Sequence, residues 1–189
     1  RNFDVGLPAP LSFAFGFEHQ SQKLKIRQGD DASWYGQGAV AMPGISPLNA
    51  GSWDRNSLAS YLDLETKLTE KLTVSAAARH ENYSDFGNSL SGSLAGRYDF
   101  NPQVALRGSV SNGFRAPTLT QQHYSSIQTQ GQDFGAGVVT VQSGTFAVDS
   151  AVAKLLGAQD LRPEKSQSQT LGLMLRPSDQ LTLSFDAYH

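Results

Sequence analysis

The chain contains no cysteine among its 189 residues. Disulfides, thiolate metal sites and a cysteine nucleophile are therefore excluded. It has no long apolar run: no stretch approaches the roughly 20 residues that a membrane-spanning helix needs. Excess charge is lacking too, with 15 Lys and Arg against 17 Asp and Glu. No basic footprint for nucleic acid results. The four histidines, His19, His80, His123 and His189, lack metal-ligand spacing. Gly135-Ala136-Gly137 has no strand-to-helix context for a phosphate loop. No nucleophile-elbow pattern occurs. These absences predict a protein that is not an enzyme and holds no cofactor.

What is present is a parity. From Leu58 to Phe114 the apolar side chains fall almost entirely on even numbers: Leu58, Leu62, Leu64, Leu68, Val74, Leu90, Leu94, Tyr98, Leu106 and Val110 among them. The strand charges fall on odd numbers: Asp63, Glu65, Lys67, Arg79, Glu81, Arg97, Asp99 and Arg107. Successive side chains of a strand point to opposite faces, so this parity separates an apolar face from a charged one. It persists through several turns. Two arrangements satisfy it: a membrane barrel with a polar lumen, or a soluble barrel with an apolar lumen. The 39% hydrophobic content is compatible with the first, because the strands of a membrane barrel are half apolar.

Strands are predicted at about 11–27, 56–68, 72–84, 89–100, 104–116, 165–176 and 181–189, with a strand tail near 3–7. Tight turns at 6–10, 69–71, 101–103 and 177–180 alternate with loops at 29–55, 85–88 and 117–164. In an up-and-down meander the tight turns then share one end and the long loops the other, as in outer-membrane barrels. The strands reach about 12 residues, longer than the 5–6 usual in soluble sheets and enough for a tilted span. Ser150 to Gly157 has the spacing of a short helix. The expectation is an all-β, antiparallel up-and-down meander of about seven strands, a fragment of a large transmembrane β-barrel. Residues 1–189 are expected to form part of one barrel domain with long loops 29–55 and 117–164. The run Leu181 to His189 stops in mid-alternation, which suggests a piece of a longer protein.

Three motifs cluster at the loop end of the strands. In Asn112-Gly-Phe-Arg-Ala-Pro117, parity puts Phe114 on the apolar face and Arg115 on the charged face, and Pro117 ends the pairing. In Leu161-Arg-Pro-Glu-Lys-Ser166, Pro163 precedes Glu164, which points the same way as Arg115. Arg115 and Glu164 are expected within salt-bridge or water-bridged reach. The third motif is Arg79-His-Glu-Asn-Tyr-Ser-Asp-Phe-Gly87, with Arg79 and Glu81 on the charged face.

Together these motifs, with Leu11 to Gly29, resemble the barrel region of TonB-dependent outer-membrane receptors. The resemblance implies an active transporter of the Gram-negative outer membrane that imports a scarce solute such as a siderophore–iron complex. It implies outer-membrane lipid, a plug domain, the TonB energy-coupling complex and a small-molecule ligand as partners. The plug and coupling box are expected elsewhere in the parent protein. The loop aromatics Trp34, Tyr35, Trp53, Tyr124 and Phe134 are candidates to stack on a ligand, or else to pack the loops together. Arg79, Glu81, Phe114, Arg115, Pro117, Pro163 and Glu164 are expected to be architectural. Alternatives are a soluble ligand-binding β-barrel, a passive porin, or a receptor of the same family for oligosaccharide or cobalamin.

Overall fold

The computed structural model describes residues 2–34, 44–45 and 47–189. Their strands are β1 (Asn2–Phe3), β2 (Leu11–Ile26), β3 (Gly51–Thr69), β4 (Leu72–Tyr83), β5 (Gly87–Asn101), β6 (Val104–Arg115), β7 (Ser126–Asp133), β8 (Val138–Thr145), β9 (Glu164–Ser178) and β10 (Leu181–Tyr188). Short helices α1 (Asp31–Trp34), α2 (Leu119–His123) and α3 (Ala151–Leu155) lie in the connections. The chain divides into two compact units. The first, the sheet unit, holds residues 1–20, 56–115 and 163–189, and the second, the loop unit, holds 21–55 and 116–162.

The sheet is antiparallel and ordered β1-β2-β3-β4-β5-β6-β9-β10. This is the predicted up-and-down meander, now with eight strands. The added strand, β1, is two residues long and pairs Asn2 with Ser12 and Phe3 with Leu11. Several strands are long: β2 has 16 residues, β3 has 19, and β5 and β9 have 15 each. All exceed the 9–11 residues of a tilted membrane span.

Register turns parity into two faces. Leu64 pairs with Ala76, Ala76 with Leu94, and Leu94 with Val110. Further along, Leu106 pairs with Leu173, and Leu173 with Phe185. Directly opposed residues of antiparallel strands share a face, so the even set of β3 to β6 continues as the odd set of β9 and β10. Among the described residues this face is largely open: Leu94 is 56% exposed, Leu90 65% and Leu171 57%. On the charged face, Lys67 pairs with Thr73, Thr73 with Arg97, Arg97 with Arg107, Arg107 with Gly172 and Gly172 with Asp186. The buried apolar residues of the sheet unit are the small Ala59 and Ala105. Among the described residues no large side chain is completely enclosed. A sheet built this way is held by its backbone ladders and lacks a central core of its own.

The long connections are more structured than their composition suggests. The segment predicted as a loop at 117–164 contains α2, the β7–β8 hairpin and α3. The hairpin strands read Ser-Ile-Gln-Thr-Gln-Gly-Gln-Asp and Val-Val-Thr-Val-Gln-Ser-Gly-Thr. Gln, Gly and Ser give the first of these no clear apolar alternation, so its strand character is invisible to periodicity. Helix α3 occupies the expected place. Ser150 caps it by accepting from the Ala153 amide, and Gly157 closes it at φ +92°. The first long connection ends earlier than expected, because β3 begins at Gly51.

Candidate functional site

Two groups of side chains stand out, one in each unit. On the charged face of the sheet unit, Arg79 donates from Nε to Glu81 and from Nη2 to Glu18 Oε2 at 2.9 Å. Tyr83 donates its hydroxyl to the other oxygen of Glu81 at 2.6 Å. Glu81 is buried at 9% exposure, and both of its carboxylate oxygens are bonded. Its burial therefore leaves neither oxygen without a hydrogen-bond partner. Tyr83 stacks on Phe86 with ring centroids 4.3 Å apart and meets Phe114 edge-on at 6.1 Å. Phe114 is therefore taken up in an aromatic cluster at the loop end of the sheet. Arg115 Nη1 stands 3.8 Å from Glu164 Oε2, and both side chains are exposed. Pro163 is half-buried beside Glu164 in sequence, and Pro117 is buried.

Lower on this face, Arg97 chelates Asp99 Oδ1 from Nε at 3.0 Å and Nη2 at 2.7 Å. Arg107 grips both oxygens of Asp186, with Nη2 at 2.7 and 2.8 Å and Nε at 3.0 Å. Between the charged rows the surface is lined by small polar residues such as Ser91, Ser93, Ser109, Ser111 and Thr170. Shallow depressions of about 400 and 320 Å³ open there.

The loop unit has a different character. Trp53, half-buried, lies flat against His123: the rings are 4.8 Å apart and 8° from parallel. His123 Nδ1 is 3.0 Å from Asp149 Oδ2. The Ser125 hydroxyl donates to Asn49 Oδ1 at 2.9 Å. Leu119, Ala147 and Ala153 are buried, as are Asn49 and Arg55. Thr118 and Gln121 form a reciprocal capping box at the start of α2. Tyr124 caps the end of α2 and is 40% exposed, and Phe134 sits 67% exposed at the hairpin tip. Tyr35 and the side chain of Trp34 lie outside the described residues.

Sequence reasoning missed the His123 and Asp149 partners of Trp53, and the reach of Arg79 to Glu18 and of Arg107 to Asp186. The last two span an intervening strand and depend on strand order. The interruption of Leu171-Gly172-Leu173 by glycine on the charged face was the available signal. Among the described residues no three His, Asp or Glu side chains gather as a metal site.

Comparison with known proteins decides between the two barrel types. The family described as "TonB dependent receptor-like, beta-barrel" matches residues 1–189. The chain belongs to this family. Its barrels lie in the outer membrane of Gram-negative bacteria, so the apolar face meets lipid and the charged face meets the lumen. The family is one of receptors and transporters. The "Iron-regulated outer membrane virulence protein" of Vibrio cholerae is 27% identical over 131 residues, which are 69% of this chain and 17% of the relative. The "Probable TonB-dependent siderophore receptor PirA" of Acinetobacter baumannii is 24% identical over 178 residues, 92% of this chain and 22% of the relative. This chain thus spans about a fifth of the length of the curated relatives it matches. The crystal structure of that A. baumannii receptor aligns over 99% of this chain and 25% of its own, with a TM-score of 0.65 and 19% identity. The crystal structure of a mutant of the ferric enterobactin receptor of Pseudomonas aeruginosa aligns over 99% of this chain and 24% of its own, with a TM-score of 0.67 and 16% identity. These likenesses show the fold.

Proposed function

We propose that this chain is part of the barrel wall, with two of the ligand-catching loops, of an outer-membrane active transporter that imports a ferric siderophore. The observation that carries this reading is the family match along all 189 residues. The names of these relatives, which concern iron regulation and siderophores, favour this cargo over oligosaccharide or cobalamin. In this reading the lumen face meets a plug domain, and TonB supplies the energy for release inward. Loops 29–55 and 117–164 first meet the solute. The exposed Tyr124 and Phe134 are the aromatic groups there best placed to stack on a planar ligand. Arg79, Glu81, Phe114, Arg115, Pro117, Pro163 and Glu164 act as architecture at the loop end of the wall.

The test is uptake of ⁵⁵Fe–siderophore by iron-starved cells that carry the full-length receptor. Uptake that depends on TonB and drops when residues 126–145 are deleted supports the assignment. Uptake that persists without TonB would make the protein a passive pore. TonB-dependent uptake that the deletion leaves unchanged removes the hairpin from ligand capture.

A further inference from the structure

The strands of the sheet unit meet at two kinds of junction. At most of them a tight turn joins neighbours and fixes their register. At two, the neighbours are separated by long excursions: residues 27–50 between β2 and β3, and residues 116–163 between β6 and β9. A long connection leaves register unspecified, and its closure entropy grows with length. The facing sequences help little. On the lumen face Ser109, Ser111 and Gly113 of β6 oppose Thr170, Ser168 and Ser166 of β9. Small polar side chains specify register weakly.

Each of these junctions is straddled by an arginine that reaches over a whole strand. Arg79 on β4 crosses β3 to Glu18 on β2, with 2.9 Å from Nη2 to Oε2. Arg107 on β6 crosses β9 to Asp186 on β10, bonding both carboxylate oxygens and the Ser184 hydroxyl. Arg115 and Glu164 add a looser contact at the second junction. The strand crossed by Arg107 is relieved at the point of crossing. Gly172 sits directly opposite both Arg107 and Asp186. A Cβ there would overlap Asp186 Oδ1 and stand 2.7 Å from Arg107 Nε and 3.0 Å from Arg107 Cγ. A side chain at this point would require Asp186 or Arg107 to shift.

We propose that Arg107, Gly172 and Asp186 form a register clamp that holds β6, β9 and β10 in line across the excursion of residues 116–163. Arg79 and Glu18 do the same across residues 27–50. A bidentate guanidinium–carboxylate pair suits this task, because its two parallel bonds accept one alignment. A slip that keeps every side chain on its own face moves β9 by two residues, which carries Gly172 out from under the pair. The clamp also commits the Arg107 guanidinium to the wall, so this cation is not offered to a lumen occupant. The inference rests on sheet register and stands apart from the identity of the cargo.

Cysteine pairs in the full-length receptor, oxidised in outer membranes, read the register. Ser109 Oγ and Thr170 Oγ1 are 2.7 Å apart, so S109C/T170C reports the native alignment, and S109C/S168C reports a two-residue slip. In R107A, D186A and G172V backgrounds the native cross-link is expected to fall severalfold while the slipped one rises. The charge reversal R107D/D186R is expected to restore the native product. R97A, which removes a pair within one strand, is expected to change neither. Native cross-linking that is unaffected in R107A and D186A overturns the clamp, and so does failure of the reversal to restore it. Should the single variants not accumulate in the membrane, recovery of the level by R107D/D186R supports the clamp, and continued absence overturns it.

Discussion

The sheet unit and the loop unit solve the problem of stability in different ways. The sheet unit leaves its leucines on an open face, where Leu90 and Leu94 are more than half exposed, and gathers its charges on the other. The loop unit buries Leu119, Ala147 and Ala153 and caps its helices with Thr118 and Ser150. One is finished by lipid, and the other is packed like a small water-soluble domain. The difference teaches that solvent decides which substitutions matter. A leucine that looks exposed in the sheet is the one that cannot become polar.

The comparison breaks most visibly if Leu94 is made charged. Leu94→Arg near the middle of β5 is expected to cost about 2–4 kcal/mol in the bilayer, seen as loss of heat-modifiable mobility on gels. Leu155→Arg, at a leucine of the loop unit that is 88% exposed against 56% for Leu94, is expected to stay within about 0.5 kcal/mol of wild type. Equal effects would erase the distinction between lipid and water. Next in size, Leu119→Ala is expected to cost the loop unit about 2 kcal/mol through a partly relaxed cavity. Limited proteolysis should then cut residues 116–162 faster while the barrel keeps its mobility shift.

The faces were legible in the sequence because period-two alternation is a local property. Leu58 to Phe114 needed no knowledge of partners, and Leu171, Leu173 and Leu175 added β9. Arg115 and Glu164 were placed on one face by parity, and the structure sets them 3.8 Å apart. The interior of the long connections was not legible. The strand Ser126–Asp133 lacks apolar alternation, and Trp53 finds His123 from 70 positions away in the chain. Contacts that skip a strand, such as Arg107 to Asp186, are set by strand order and left a single glycine as their trace.

A smaller effect sharpens the contrast between units. Thr118→Ala removes the capping hydroxyl of α2 and is expected to cost about 1 kcal/mol. Faster amide exchange at Gln121, whose N–H bonds that hydroxyl at 3.0 Å, would report it, with strand amides unchanged. The smallest effect is acid dependence at α3. The Lys154 ammonium bonds the Asp160 carboxylate and holds its pKa below the ordinary value. A depressed carboxyl stabilises the folded form at neutral pH, and this is lost as pH falls through the lowered value. The Lys154–Asp160 contact should loosen only in strong acid, which amide exchange across α3 in wild type and D160N would detect. Loss already near neutrality would contradict the assignment.

The β7–β8 hairpin makes a two-stranded sheet of its own, and its tip at Phe134 to Gly137 is exposed. Its ladder runs unbroken from Ser126↔Thr145 to Asp133↔Val138. A structure of this kind behaves as a cassette. Peptide epitopes spliced between Gly135 and Gly137 should leave the ladder below them intact.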